Sequence, residues 1–209
     1  MSLFLRLLIF SSFAVTLSAQ SGGEVVSVEE LRDPLTGKSL RAIVAAREHL
    51  RSGQRERGMQ ELRDAVRDPV AMPYAISMLG VEHLKAGQLD TAMGELEEAS
   101  RLLPRPENLS NLAYAFYLKG ESARGLYEVR KALQLDGGKP KTRLVLGMLL
   151  LQQGSHEAEA IQQLQAAAPE NPSAHLVLAR HYDRAGNAPE AEKERRAYAI
   201  VSMGLLATK

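Results

Sequence analysis

Residues 73–104 read PYAISMLGVEHLKAGQLDTAMGELEEASRLLP. Wrapped at 3.6 residues per turn, the stretch divides at Gly87 into two helical halves. The first half sets Ile76, Leu79, Gly80 and His83 on one face, and the second sets Ala92, Leu96 and Ala99. Gly80 and Ala92 are small enough for two helices to cross closely, with Leu79 and Leu96 filling the space beside them. Gly87 turns the chain, and Pro104 cannot continue the second helix. One such pair cannot bury its own apolar face, so the chain around it must repeat it.

It does. The inter-helix glycine returns at Gly53, Gly87, Gly120, Gly154 and Gly186, at spacings of 34, 33, 34 and 32 residues. With Ile76, His83 and Leu96 standing for its aromatic positions, the stretch resembles the tetratricopeptide (TPR) pattern W-x2-L-G-x2-Y, A-x3-F, P. The resemblance runs from about Ser39 to the C-terminus. It implies an all-α, right-handed superhelical solenoid of about five helix-turn-helix repeats. These would span about 39–70, 73–104, 106–137, 140–171 and 172–206.

The other repeats keep the register. Ala42, Ala45, Ala46 and His49 take the first-helix places in the first repeat, and Gly58, Leu62 and Ala65 the second-helix places. In the third repeat they are Leu109, Leu112, Ala113 and Phe116, then Gly125, Val129 and Ala132. The fourth has Leu146 and Gly147, but Ala160, Leu164 and Ala167 fit only after one inserted residue near Ser155-His156. The fifth has Leu178, Ala179, Tyr182 and Ala191, with Arg195 where a large apolar residue belongs. Its second helix, from about Pro189, turns apolar from Tyr198 to Leu206 and reads as the cap, since terminal repeats are atypical where they finish an open core.

Ahead of the repeats, Arg6 precedes an apolar run to Leu17, and Leu17-Ser18-Ala19 resembles a small-residue cleavage site. Residues 1–19 are read as a signal peptide, so the mature protein is expected to be exported, periplasmic or secreted. The run is shorter than the ~20 residues of a spanning helix, and an uncleaved anchor is the alternative. Residues 20–38 read as a flexible leader, with a turn at Asp33-Pro34 and Ser39 as helix N-cap. Gly37-Lys38-Ser39 imitates the end of a phosphate-binding loop, but Arg32 stands where its first glycine is required.

Composition narrows the function classes. Net charge is +1, which gives no electrostatic footprint for nucleic acid. The chain has no Cys, which removes disulfides, thiolate metal sites and a cysteine nucleophile. None of the five histidines has metal-ligand spacing, and no nucleophile-elbow motif is present. The equivalent His49 and His83 read as half-buried packing residues. The expectation is a protein without catalytic residues, cofactor or metal.

TPR first helices line a concave groove, which the resemblance implies here. Its expected lining is Tyr74, Ser77, Val81 and Leu84, then Ser110, Tyr114, Tyr117 and Leu118, then Leu144, Met148 and Leu151. The middle is apolar and tyrosine-bearing, and charges such as Arg47, Arg180 and Asp183 stand at the ends. The alternative is that these side chains are core. Some TPR grooves hold an acidic chaperone tail. Here Asn111 and Lys141 sit on suitable helices, but Val81 and Val145 stand where polar partners are wanted. The resulting expectation is an interaction module for a protein or peptide partner, an apolar or amphipathic peptide or helix. The alternatives are a membrane-anchored assembly factor, a self-associating structural protein and a non-catalytic enzyme accessory.

Overall fold

The computed structural model describes residues 35, 37–154 and 156–207; the signal-peptide reading and nearly all of the leader reading fall outside them. Among the described residues the chain forms ten α-helices and no strand. In pairs these are α1 (Gly37–Arg51) with α2 (Arg55–Ala65), α3 (Met72–Lys85) with α4 (Leu89–Leu102), and α5 (Pro106–Lys119) with α6 (Ser122–Asp136). Then follow α7 (Pro140–Gln153) with α8 (Glu157–Ala167), and α9 (Ser173–Arg184) with α10 (Ala188–Ala207). Each helix packs on its pair-mate, and each pair packs on the next. The first helices also meet in succession, α3 with α5, α5 with α7 and α7 with α9. Among the described residues the second helices make no comparable contact with one another, so the first helices form the inner layer of an all-α solenoid.

The close crossing within each pair has one recipe. Its two small residues are Ala46 and Gly58, Gly80 and Ala92, Ala113 and Gly125, Gly147 and Ala160, and finally Ala179 and Ala191, all buried. Four of the five pairs hold one glycine and one alanine, but the glycine changes helix. A Cβ placed on Gly58 would lie 3.0 Å from the carbonyl oxygen of Ala46, and one on Gly125 would lie 3.1 Å from that of Ala113. The backbones themselves therefore touch. Leu62, Leu96, Val129 and Leu164 fill the adjoining space and are fully buried, each worth ~1.5–3 kcal/mol relative to exposure. Between the helices, Gly87 has φ +73, a left-handed conformation that glycine adopts without strain, and the other four inter-helix glycines match it.

Pairs join to one another differently in the middle and at the ends. Ser77 donates its hydroxyl to Asn108 Oδ1 at 2.6 Å, and Asn108 Nδ2 donates to the Leu103 carbonyl at 2.8 Å. One repeat on, the Ser110 and Thr142 hydroxyls are 3.0 Å apart, and Thr142 donates to Asp136 Oδ2 at 2.6 Å. Asp136 Oδ1 in turn accepts the backbone N–H of Gly138 at 2.7 Å, closing the turn into α7. At the outer junctions the corresponding residues are apolar: Ile43 and Ala75 share one cluster, and Leu144 packs on the cluster holding Ala174.

One local reading is changed, and the inserted residue is located. Ser39 is not an N-cap; α1 begins at Gly37, within the stretch read as leader, and the Ser39 hydroxyl donates to Asp68 Oδ2 at 2.5 Å. Leu35 also packs on the first core cluster. The insertion in the fourth repeat lies before α8, which starts three residues after Gly154 where the other second helices start two after their glycine. The extra residue is absorbed in that turn, so Ala160, Leu164 and Ala167 are fully buried.

Candidate functional site

The eleven residues expected along the groove lie on three successive first helices. Tyr74, Ser77, Val81 and Leu84 are on α3, Ser110, Tyr114, Tyr117 and Leu118 on α5, and Leu144, Met148 and Leu151 on α7. Spacings of three and four keep each set on one helical strip. Nine of them are half-buried and Leu118 is exposed. Ser110 is 1% exposed, so it lies beneath the strip: its hydroxyl is engaged with Thr142 and offers nothing to a ligand.

The half-burial has a clear origin. Tyr114 and Tyr117 stack with ring centroids 6.0 Å apart and an interplanar angle of 15°. Their inner sides pack on a cluster of Leu126, Val145 and Leu149. Leu151 joins that cluster to the next, around Leu164 and Leu178, where Leu144 also packs. Val81 and Leu84 lean on the cluster of Leu96 and Phe116. The Tyr74 ring lies 5.6 Å beneath the Arg105 guanidinium. Each side chain is thus partly core and partly open surface, and the two readings of the sequence are not exclusive.

Toward the first repeat the face becomes polar. Arg47, Leu50, Arg51, Ser77, Val81, Lys85 and Asn111 border an open cleft of about 300 Å3. Buried Glu82 stands in its wall, within 3.6 Å of Arg55 Nε and 2.5 Å of Lys85 Nζ. Lys141 reaches back from α7 and donates to Asn111 Oδ1 at 2.6 Å. The residue as a whole is exposed, and its ammonium loses part of its hydration where it meets α5. That desolvation lowers the Lys141 pKa; Glu107 opposes the shift and Lys85 adds to it. The two residues at chaperone-tail positions therefore bind each other, while Val145 is buried and apolar.

The outer face carries a feature that the sequence reading passed over. Between α4 and α6, Leu112 and Phe116 floor a cleft of about 500 Å3 beside Arg101, Arg124 and Tyr127. The Arg124 guanidinium lies 4.2 Å over the Phe116 ring, and Lys131 lies 5.1 Å from the Tyr127 ring centre. Buried Ser100 also borders it, and its hydroxyl has no hydrogen-bond partner among the described residues. A signal existed: Ser100 replaces Val66 and Leu133 at one repeat position. Arg143 was likewise missed. It stands at the place of Ile76, donating from Nε to the Gly138 carbonyl at 2.6 Å and from Nη1 to Gln163 at 2.7 Å.

His49 and His83 make the same contact 34 residues apart, Nδ1 lying 2.7 Å from Glu61 and 2.6 Å from Glu95 respectively. Each ties a first helix to its second. His175 and His181 also face carboxylates, those of Glu194 and Glu157. Among the described residues no three His, Asp or Glu side chains are grouped to hold a metal ion. No described helix is long and apolar enough to cross a membrane.

No family model and no curated protein sequence matches the chain. Solved structures do match. MamA from Desulfovibrio magneticus RS-1 is 14% identical, with a TM-score of 0.61 over 81% of this chain and 98% of that one. A thermophilic TPR protein of Thermus thermophilus is 18% identical, with a TM-score of 0.63 over 79% of this chain and 99% of that one. A chain of the APC/C hetero-tetramer Cut9–Hcn1 is 17% identical, with a TM-score of 0.69 over 83% of this chain but 35% of that one. At such identities the likeness is one of fold, and that fold is the TPR-like helical solenoid.

Proposed function

We propose that this protein is a non-catalytic interaction module that holds an apolar or amphipathic helix or peptide against its first-helix face. The observation that supports this is the uncharged strip of Tyr114, Tyr117, Leu118, Leu144, Met148 and Leu151 across two neighbouring helices. The stacked tyrosines present large, stiff contact area at low rotamer cost. Met148 adapts to an irregular partner. The TPR-like neighbour in the Cut9–Hcn1 hetero-tetramer is part of a multi-protein assembly, which agrees with such a role. Export after cleavage near Ala19 is part of the proposal, on the strength of residues 1–19.

The test is capture from a native cell-envelope extract by wild type and by Leu118→Glu, whose site is 45% exposed. Partners retained by wild type and lost by the variant at equal folded content support the groove. Equal capture by both moves the interaction to another face. N-terminal sequencing of the native protein tests export: a start near Gln20 is expected, and Met1 retained in the membrane fraction would replace it with anchoring.

A further inference from the structure

The last helix is longer than its place in the fold requires. α10 has 20 residues, whereas the other second helices have 11 to 15. Its first half is occupied: Ala191 and Glu194 are buried, His175 lies 2.6 Å from Glu194, and Arg195 lies 2.6 Å from Asp183. Its second half continues past the end of α9. No charged residue occurs from Ala197 to Thr208, and Ile200 and Met203 are 67% and 64% exposed. Three apart, those two share one face. A helix without charge on any side is ordinarily buried.

We propose that this projecting end of α10 is the occupant of the first-helix groove of a second copy of the chain. The charge pattern favours this match. The groove strip on α5 and α7 is uncharged over Tyr114, Tyr117, Leu118, Leu144, Met148 and Leu151, and the helix end is uncharged over its whole length. Several flanking charges are already engaged within one chain: Arg196 with Glu192 and Lys139 with Glu107 as ion pairs, and Lys141 by a hydrogen bond to Asn111. An acidic or basic peptide would have to displace those pairs, and an uncharged helix does not. Lengths agree too. Eleven helical residues extend ~16 Å, and two helices side by side at ~8–10 Å present a floor of similar width.

A chain cannot fill its own groove this way. α10 is one unbroken helix whose first half is fixed on α9, so its end is held in line and cannot fold back. The contact is therefore between copies: groove on one, helix on the other. Such a contact either closes reciprocally between two copies or leaves one groove and one helix free at the ends and propagates. It rests on the groove reading above and names its occupant.

The experiment uses two full-length variants. Ile200→Glu/Met203→Glu carries a disabled helix and an intact groove, and Leu118→Glu carries the reverse. Both alter exposed positions, and circular dichroism verifies their folding. By sedimentation at ~100 μM, above the micromolar Kd of a small helix-in-groove contact, wild type should form dimers, if the exchange is reciprocal, or larger species, if it propagates. Each variant alone should be monomeric, and an equimolar mixture should form a dimer and nothing larger, since it restores one contact. A monomeric wild type overturns the proposal, as does a mixture that stays monomeric. Association by the helix variant alone overturns it too. If vesicles of anionic and zwitterionic lipid pellet wild type but not the helix variant while the mixture stays monomeric, the helix end belongs to a lipid surface instead. Any of these failures leaves the groove reading standing if Leu118→Glu still loses its extract partners.

Discussion

Gly80 lies directly against Leu96: a Cβ on Gly80 would sit 2.7 Å from Leu96 Cγ and 3.4 Å from the Ala92 carbonyl. Gly94, on the second helix of the same pair, has nothing within 4 Å of its would-be Cβ. The two glycines should answer alanine oppositely. Gly80→Ala must displace the fully buried Leu96 side chain at the α3–α4 crossing and is expected to cost ~1–3 kcal/mol. Gly94→Ala, in an exposed helix interior, should gain ~0.5–1 kcal/mol from lower unfolded-state entropy and better helix propensity. Urea unfolding of both variants measures the sign directly.

Asn108 is the second test of packing. It is buried, accepts from Ser77 and donates to the Leu103 carbonyl. Asn108→Ala leaves both partners without their bond and should lose ~1–3 kcal/mol. The double variant Ser77→Ala/Asn108→Ala should lose less than the sum of the single losses, because the Ser77 bond is then removed only once. Strict additivity in the cycle would show the two residues to be uncoupled.

For the groove, Tyr114→Ala/Tyr117→Ala separates binding from stability. Both rings are half-buried and pack on core residues, so the variant should soften by less than the ~3–5 kcal/mol of a fully buried aromatic. It should remain helical at 25 °C and bind its partner with at least ~2 kcal/mol less affinity, a factor near 30. A folded double variant with unaltered affinity would place the binding energy elsewhere.

Lys141 gives a pH dependence. Its folded-state pKa is lowered by burial from the ordinary 10.5, so the folded state binds fewer protons than the unfolded one as the group titrates. Stability at this site is therefore penalised at neutral pH and recovers as the pH rises through the folded pKa toward 10.5. Lys141→Met should be at least as stable as wild type at pH 7, and the difference should shrink in alkaline solution. Unfolding at pH 7 and 10, with the Lys141 side chain titrated by NMR, tests both statements.

The repeat was legible because its determinants are steric. A turn glycine at a constant period and two small residues beside a large one are visible in the letters themselves. The direction of the strip on α3, α5 and α7 followed from the same register. The depth of each side chain did not. Ser110 disappears beneath the strip because Thr142, 32 residues away, supplies its partner. Ser39 moves into a helix because Asp68, 29 residues on, holds it. Arg124 meets Phe116 and Glu97 from separate helices. Such contacts depend on which side chains the superhelix brings face to face, and no local pattern encodes that. The outer cleft around Tyr127 was hidden for a related reason: a solvent-facing tyrosine looks like any amphipathic surface until a neighbouring helix shapes the gap beside it.

The contrast between hydrogen-bonded inner junctions and apolar outer ones also decides which module can be cut out. Excising the third repeat would bring Ser77 opposite Thr142, hydroxyl to hydroxyl, so that Ser77 takes up the Thr142 hydroxyl that Asp136 accepts now. Excising the second would set Ile43 against Asn108, and excising the fourth would set Ser110 against Ala174, each stranding a buried polar group. A four-repeat protein lacking residues 106–138 should therefore fold, and its two sister deletions should fare worse. The chain carries its own assembly order as a sequence of compatible and incompatible edges.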